Sequence, residues 1–238
     1  MRVEREPACV LHTRPWRETS LLLEVLTPGH GRVGLIQRAA RGGRRAPAAR
    51  PFRLLRMDWR GRGDLPTVTQ AELLEPFPGL TGLAAVCGLY VNELTLRLLP
   101  RGLPVPELFP VYCRSLTELG HGAPPDVVLR RYELHLLRAL GYAPVLERDA
   151  RGRAVSARGR YRYDRERGLV PVPAGGGGPL ISGDTALALA NGRLGNAAQR
   201  REARDLLRHL LDPLLGERPL HSRALLHRLQ AARRNESS

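Results

Sequence analysis

The chain has 238 residues, 42% of them hydrophobic, with a formal net charge of +15 and a pI near 11.2. That length suits two modest domains, and that charge points to nucleic acid or an anionic membrane surface as partner. No apolar run approaches the roughly 20 residues of a spanning helix, and the opening MRVEREPACVL has no apolar secretory core, so a cytoplasmic protein is expected.

Residues 8–75 read as β structure. ACVLHTR is short and apolar-rich, SLLLEVLT follows, PGHG turns the chain, and RVGLIQ resumes the strand pattern at Arg32. QRAARGGRRAPAARPF, residues 37–52, then holds five arginines and no acid. Such a run is either a solvated face or a phosphate-binding loop, since polyanions are the partners that reward it. FRLLRMDWR alternates, with Phe52, Leu54 and Met57 expected inward and Arg53 and Arg56 outward. GRGD turns into LPTVTQAELL. Five short strands without an intervening helix predict a small barrel, either an OB-fold, which grips single strands on one face, or an SH3-like barrel.

EPFPGLTG, residues 75–82, reads as a linker. Beyond it Leu83, Val86, Cys87, Tyr90 and Leu94 recur at helical spacing up to Pro100. PELFPVYCRSLTELG predicts a second helix with Gly120 as its C-cap, and PPDVVLRRYELHLLRALG a third ending at Gly141. VPAGGGG, residues 172–178, reads as a mobile loop, and residues 196–216 and 219–232 as two more helices.

Catalytic chemistry finds no foothold. The 23 acids are scattered, no GxxxxGK[ST] is present, and every one of the 38 basic residues is arginine, so a P-loop lysine is missing. His221 and His227 fall on opposite faces of a helix, and no C-x-x-C exists. The three cysteines, Cys9, Cys87 and Cys113, are far apart in sequence and fit reduced thiols better than a disulfide framework. A protein that is not an enzyme, without cofactor or metal, is expected. The arginine bias matches a GC-rich genome, yet guanidinium forks still bind phosphate bidentately and stack on bases. Trp16 and Trp59, each flanked by arginine, suit base stacking or, alternatively, cap the barrel core.

VLHTRPWRETSLLLEVLTPGHGRVGLIQRAAR resembles the N-terminal barrel of the bacterial RecO family of DNA repair proteins. GLYVNELTLRLL, LRRYELHLLRALGY, YRYDRERGLV and GERPLHSRALLHRL resemble later segments of the same family, in order over nearly the whole chain. The resemblance implies an α+β fold: a five-stranded OB-fold β-barrel over residues 1–79, then an α-helical domain over 80–238 with a small irregular zinc-finger-like insert at about 143–180. Many relatives carry zinc-binding cysteines after the LGY segment, but APVLERDARGRAVSARGRYRYD has none, so no metal is expected. QRAAR also stands where relatives usually show KGAR, and arginine can still contact phosphate.

The function implied is recombination mediation: binding ssDNA and dsDNA, annealing complementary strands, and with RecR helping to load RecA on ssDNA coated by single-stranded DNA-binding protein. An RNA-binding OB-fold protein of the translation machinery is the alternative, since phosphate contacts ignore the sugar. The expected DNA contacts are Arg14, Trp16, Arg32, Arg38, Arg41, Arg44, Arg45 and Arg50. The acidic C-terminal tail of single-stranded DNA-binding protein needs an apolar groove with a guanidinium at its rim. Val128, Tyr132, Arg130 and Arg131 are expected to supply it, with Arg130 bearing the carboxylate contact unless it pairs Glu133 on its own helix.

Overall fold

The structure is a computed structural model that describes residues 2–38, 49–74, 77–173 and 177–236. Five strands, β1 (Arg2–Trp16), β2 (Ser20–Thr27), β3 (Gly31–Gln37), β4 (Leu54–Arg60) and β5 (Thr67–Leu73), close on themselves in the order β1-β2-β3-β5-β4. The first strand is far longer than its apolar stretch suggests, because it serves two neighbours. Its first half, Arg2 to Cys9, pairs with β4, and its second, Cys9 to Trp16, with β2. The register slips between Val3 and Glu6 and between Val10 and His12, which bends the strand round the barrel. Arg5 sits between with a φ of 56°. The remaining seam is one parallel pair, Ile36 opposite Thr67.

Val10, Leu23, Val25, Leu35, Leu55, Met57 and Trp59 fill the interior. The inward register of β4 is therefore Leu55, Met57 and Trp59, and the expectation for Phe52 and Leu54 is corrected. Phe52 has a φ of 65°, so the chain turns there and the alternation starts afresh at Leu54. Its ring lies against helix α1 (Gly82–Leu98), where a Cβ on Gly88 would come within 2.9 Å of it.

α1 and α2 (Leu108–Gly120) belong to the same compact unit as the barrel, which spans residues 1–122 and is rejoined by 220–238. The change of element type near residue 80 is thus not where compactness divides the chain. A buried relay explains why: the Asn92 amide of α1 donates to the Leu11 carbonyl of β1 at 2.8 Å, and the Tyr112 hydroxyl of α2 donates to Asn92 Oδ1 at 2.7 Å. α2 continues through Gly120, His121 caps it, and Gly122, at φ +80°, takes the left-handed position expected of Gly120. α6 (His221–Glu236) closes this unit; Glu93 of α1 accepts its first two amides, His221 and Ser222, each at 2.9 Å.

The second unit, residues 123–219, comprises α3 (Pro125–Ala139), β6 (Arg160–Asp164), β7 (Gly168–Pro171), β8 (Leu180–Ser182), α4 (Gly183–Ala190) and α5 (Ala197–Leu215). The expected insert contains a three-stranded antiparallel sheet, β7-β6-β8, preceded by tight turns. Within the glycine-rich stretch, residues 174–176 lie outside the described residues. α5 opens with a capping box between Asn196 and Gln199.

Candidate nucleic-acid interface

The barrel register gathers arginines around the end of β3. Following paired residues from strand to strand gives one lateral row: Arg14, Leu22, Ile36, Thr67, Arg60 and Arg2. The row leaves β1 at Arg14 and returns to it at Arg2, so Ile36 has an arginine-bearing edge on both sides. Arg38 follows two residues later, exposed, at the end of β3. Trp16, half-buried opposite Ser20, is next to Arg14's side of the row.

An open groove of about 740 Å³ lies here, lined by Arg38, Arg60, Gly61, Thr67, Val68 and Thr69. Two guanidinium groups, two hydroxyls and no carboxylate line it, a composition suited to phosphate oxygens. A smaller hollow of about 210 Å³ adjoins it through Arg60 and Thr69 and adds Arg2, Glu4 and Asp58. Arg2 is paired to Glu4 at 2.5 Å, with both side chains exposed. The groove beyond, among Glu4, Arg5, Arg56, Asp58, Gln70 and Glu72, has mixed charge and ends the basic surface.

The residues expected to touch DNA separate into three groups. Arg14, Arg38 and Arg50 are exposed and Trp16 half-buried. Arg41, Arg44 and Arg45 lie outside the described residues. Arg32 is tied into the fold by its own partners. Its Nε donates to the Leu99 carbonyl at 2.7 Å and its Nη1 to Glu24 at 3.1 Å, while Arg101 binds the other carboxylate oxygen of the buried Glu24. Burial lowers the Arg32 pKa, and the Glu24 hydrogen bond raises that of Arg101. Trp59 is likewise in the core, 1% exposed, with its ring edge-to-face on His30 at 5.5 Å, so it offers bases no face. Arg60 enters the sequence reading only as a neighbour of Trp59 and Arg2 not at all; the ladder pairs Arg2 with Arg60, and the groove sets Arg60 beside Arg38.

Residues 1–77 match the family Recombination protein O N terminal, and residues 80–224 match Recombination protein O C terminal. The chain belongs to the RecO family. Proteins named DNA repair protein RecO are similar over nearly their full lengths. That of Nitrosococcus oceani is 45% identical, covering 97% of this chain and 95% of its own. Those of Chromobacterium violaceum and Azoarcus sp. are 43% and 42% identical, covering 97% and 96% of this chain and 97% of each relative.

In this RecO-family chain the α3 residues expected to receive the acidic tail are set into the packing. Arg130 is not at a rim: its side chain is 6% exposed and forms a two-pronged pair with Glu133, Nε to Oε2 at 2.6 Å and Nη2 to Oε1. Val128 and Tyr132 are buried in the packing, at 2% and 0%, and Arg131 is half-buried. The cause is helical geometry, since i and i+3 share a face and Glu133 faces the interior with Tyr132, Leu136 and Leu137 beside it in the buried set.

Residues 143–180 lack cysteines but carry a different signal, their charge. Residues 147–167 contain eight arginines and four acids, and Arg151, Arg153, Arg158, Arg160 and Arg167 are exposed. Arg162 and Arg165 are fixed on the Gly178 and His209 carbonyls, both at 2.8 Å. Among the described residues no three His, Cys, Asp or Glu side chains converge as a metal site would need, and no helix is long and apolar enough to cross a membrane.

Proposed function

We propose that this protein is a DNA repair and recombination mediator that works by binding rather than by catalysis. The observation that carries the reading is the acid-free groove at Arg38 and Arg60, in a chain of the RecO family. The strand order, with its closing β1–β4 pair, supports an OB-fold assignment for the barrel. OB-folds hold single strands by backbone contacts and stacking, and the half-buried Trp16 next to exposed Arg14 supplies both.

On this reading the protein binds ssDNA and dsDNA and anneals complementary strands. A second basic surface at Arg151, Arg153, Arg158, Arg160 and Arg167 gives the other unit its own hold on phosphate, so one chain can carry two strands. RecR, RecA and single-stranded DNA-binding protein are the proposed partners, RecR acting with it to load RecA on coated ssDNA.

The test is annealing of complementary oligonucleotides coated with single-stranded DNA-binding protein, with and without RecR, and binding of matched ssDNA and ssRNA in parallel. Acceleration of annealing and a preference for DNA are expected. Equal or tighter RNA binding without annealing would refute the proposal.

A further inference from the structure

The fold brings together two of the three cysteines that lie far apart in sequence. Cys9 Sγ, on β1, and Cys113 Sγ, on α2, are 3.5 Å apart. Both residues lie in the barrel-containing unit, so the contact is internal to one compact body. Cys9 is fully buried at the point where β1 passes from its β4 partner Leu54 to its β2 partner Leu26. Cys113 is half-buried on α2. Cys87 is buried in α1.

We propose that Cys9 and Cys113 are a thiol pair that peroxide converts into a disulfide stapling the barrel to α2. Bond formation requires the sulfurs to close by about 1.5 Å, since a disulfide is about 2.05 Å long. The two partners are also differentiated in the way the reaction needs. The hydrogen bond from Cys9 lowers the Cys113 pKa, whereas burial holds the Cys9 thiol well above its ordinary value. The thiolate is the nucleophile, so Cys113, which is also the more accessible, reacts first.

In the first step Cys113 sulfur attacks one peroxide oxygen. An S–O bond forms, the O–O bond breaks, and the departing hydroxide takes up the thiol proton to leave as water. Cys113 is then a sulfenic acid. In the second step Cys9 sulfur attacks the Cys113 sulfur. The S–S bond forms, the S–O bond breaks, and hydroxide leaves as water with the Cys9 proton. Two thiols and one hydrogen peroxide give one disulfide and two waters. Thiol reductants reverse the change.

The full-length protein is treated with hydrogen peroxide and digested without reductant. The expected product is a linked peptide pair containing Cys9 and Cys113, two hydrogens lighter than the reduced pair and separated by dithiothreitol. The linked loop restrains the unfolded chain, so the oxidised protein melts about 5–10 °C above the reduced. A dimedone adduct on Cys113 is expected in Cys9→Ala, whereas Cys87→Ala forms the link normally. Since Cys9→Ala removes a buried side chain, the wild-type peptide map decides the matter by itself. The proposal fails if the wild-type thiols stay reduced under peroxide, if Cys113 goes on to sulfinic acid without joining Cys9, or if the only disulfides join separate chains.

Discussion

Replacing Arg38 and Arg60 together by alanine removes both guanidinium groups from the groove while leaving the barrel core untouched, since both residues are exposed. Each phosphate bound on a single strand contributes about 0.7 to the slope of log affinity against log salt. Without these two guanidinium–phosphate pairs the slope should flatten by about 1.4 and binding should weaken about 25-fold at 0.1 M salt, equally for all sequences. Adding Arg2→Ala should have less than the effect of a full phosphate pair, because Glu4 at 2.5 Å already neutralises part of that charge. The assay is fluorescence anisotropy of a labelled oligonucleotide across a salt series, with Arg114→Ala as control; that arginine is exposed on α2 and paired with Glu118. An unchanged slope in a folded double variant would show that phosphates do not enter the groove.

Arg130→Ala should lower stability by about 3–5 kcal/mol in urea denaturation, because it strands the buried Glu133 carboxylate without its two-pronged partner; unchanged stability with impaired partner binding would return Arg130 to a recognition role. Asn92→Leu should lower stability by about 2–4 kcal/mol, since it leaves the Leu11 carbonyl and Tyr112 hydroxyl buried and short of a partner, and Tyr112→Phe by about 1 kcal/mol; equal costs for the two would contradict the relay. Burial alone would raise the Glu93 pKa, but the Ser222 hydroxyl and amide and the His221 amide outweigh it and hold the carboxyl below its ordinary value of 4.5. Its contribution to holding α6 is therefore present above that value and lost as pH falls through the lower folded pKa. Glu93→Gln should flatten this part of the stability–pH profile, read by thermal melts between pH 3 and pH 7, and an unaltered profile would remove Glu93 from that role.

Much of the architecture was legible because apolar spacing records it directly. The helical recurrence of Val86, Cys87, Tyr90 and Leu94 is the buried face of α1. The helix expected over residues 196–216 is α5, whose start is fixed by local capping between Asn196 and Gln199. Where the sequence misled, tertiary pairing had overridden a local pattern. Nothing in FRLLRMDWR reveals that Phe52 adopts a positive φ and shifts the inward register. α4 escaped notice because GDTALALA is too short and too uniformly apolar to show a helical stripe. For the candidate site, charge density identified Arg38 and Arg50 as exposed, but could not separate them from Arg32, whose partners Glu24 and Leu99 are brought by other elements. Arg60 is visible in the sequence only as a neighbour of Trp59, and its pairing with Arg2 and its place beside Arg38 exist only in the closed ladder and groove.

The return of α6 to the barrel's unit makes residues 123–219 a contiguous insertion within a discontinuous body. The bonds from Ser222 to Glu93 span 129 residues of chain. On the ribosome, the inserted unit emerges complete before His221 does, whereas the body that encloses it in sequence waits for its last helix. The barrel with α1 and α2 therefore spends the interval with the Glu93 carboxylate uncapped and the α6 face of α1 uncovered, and it is this face that a chaperone would shield during synthesis. A chain halted at Pro219 would retain every strand of the barrel and lack its final fastening.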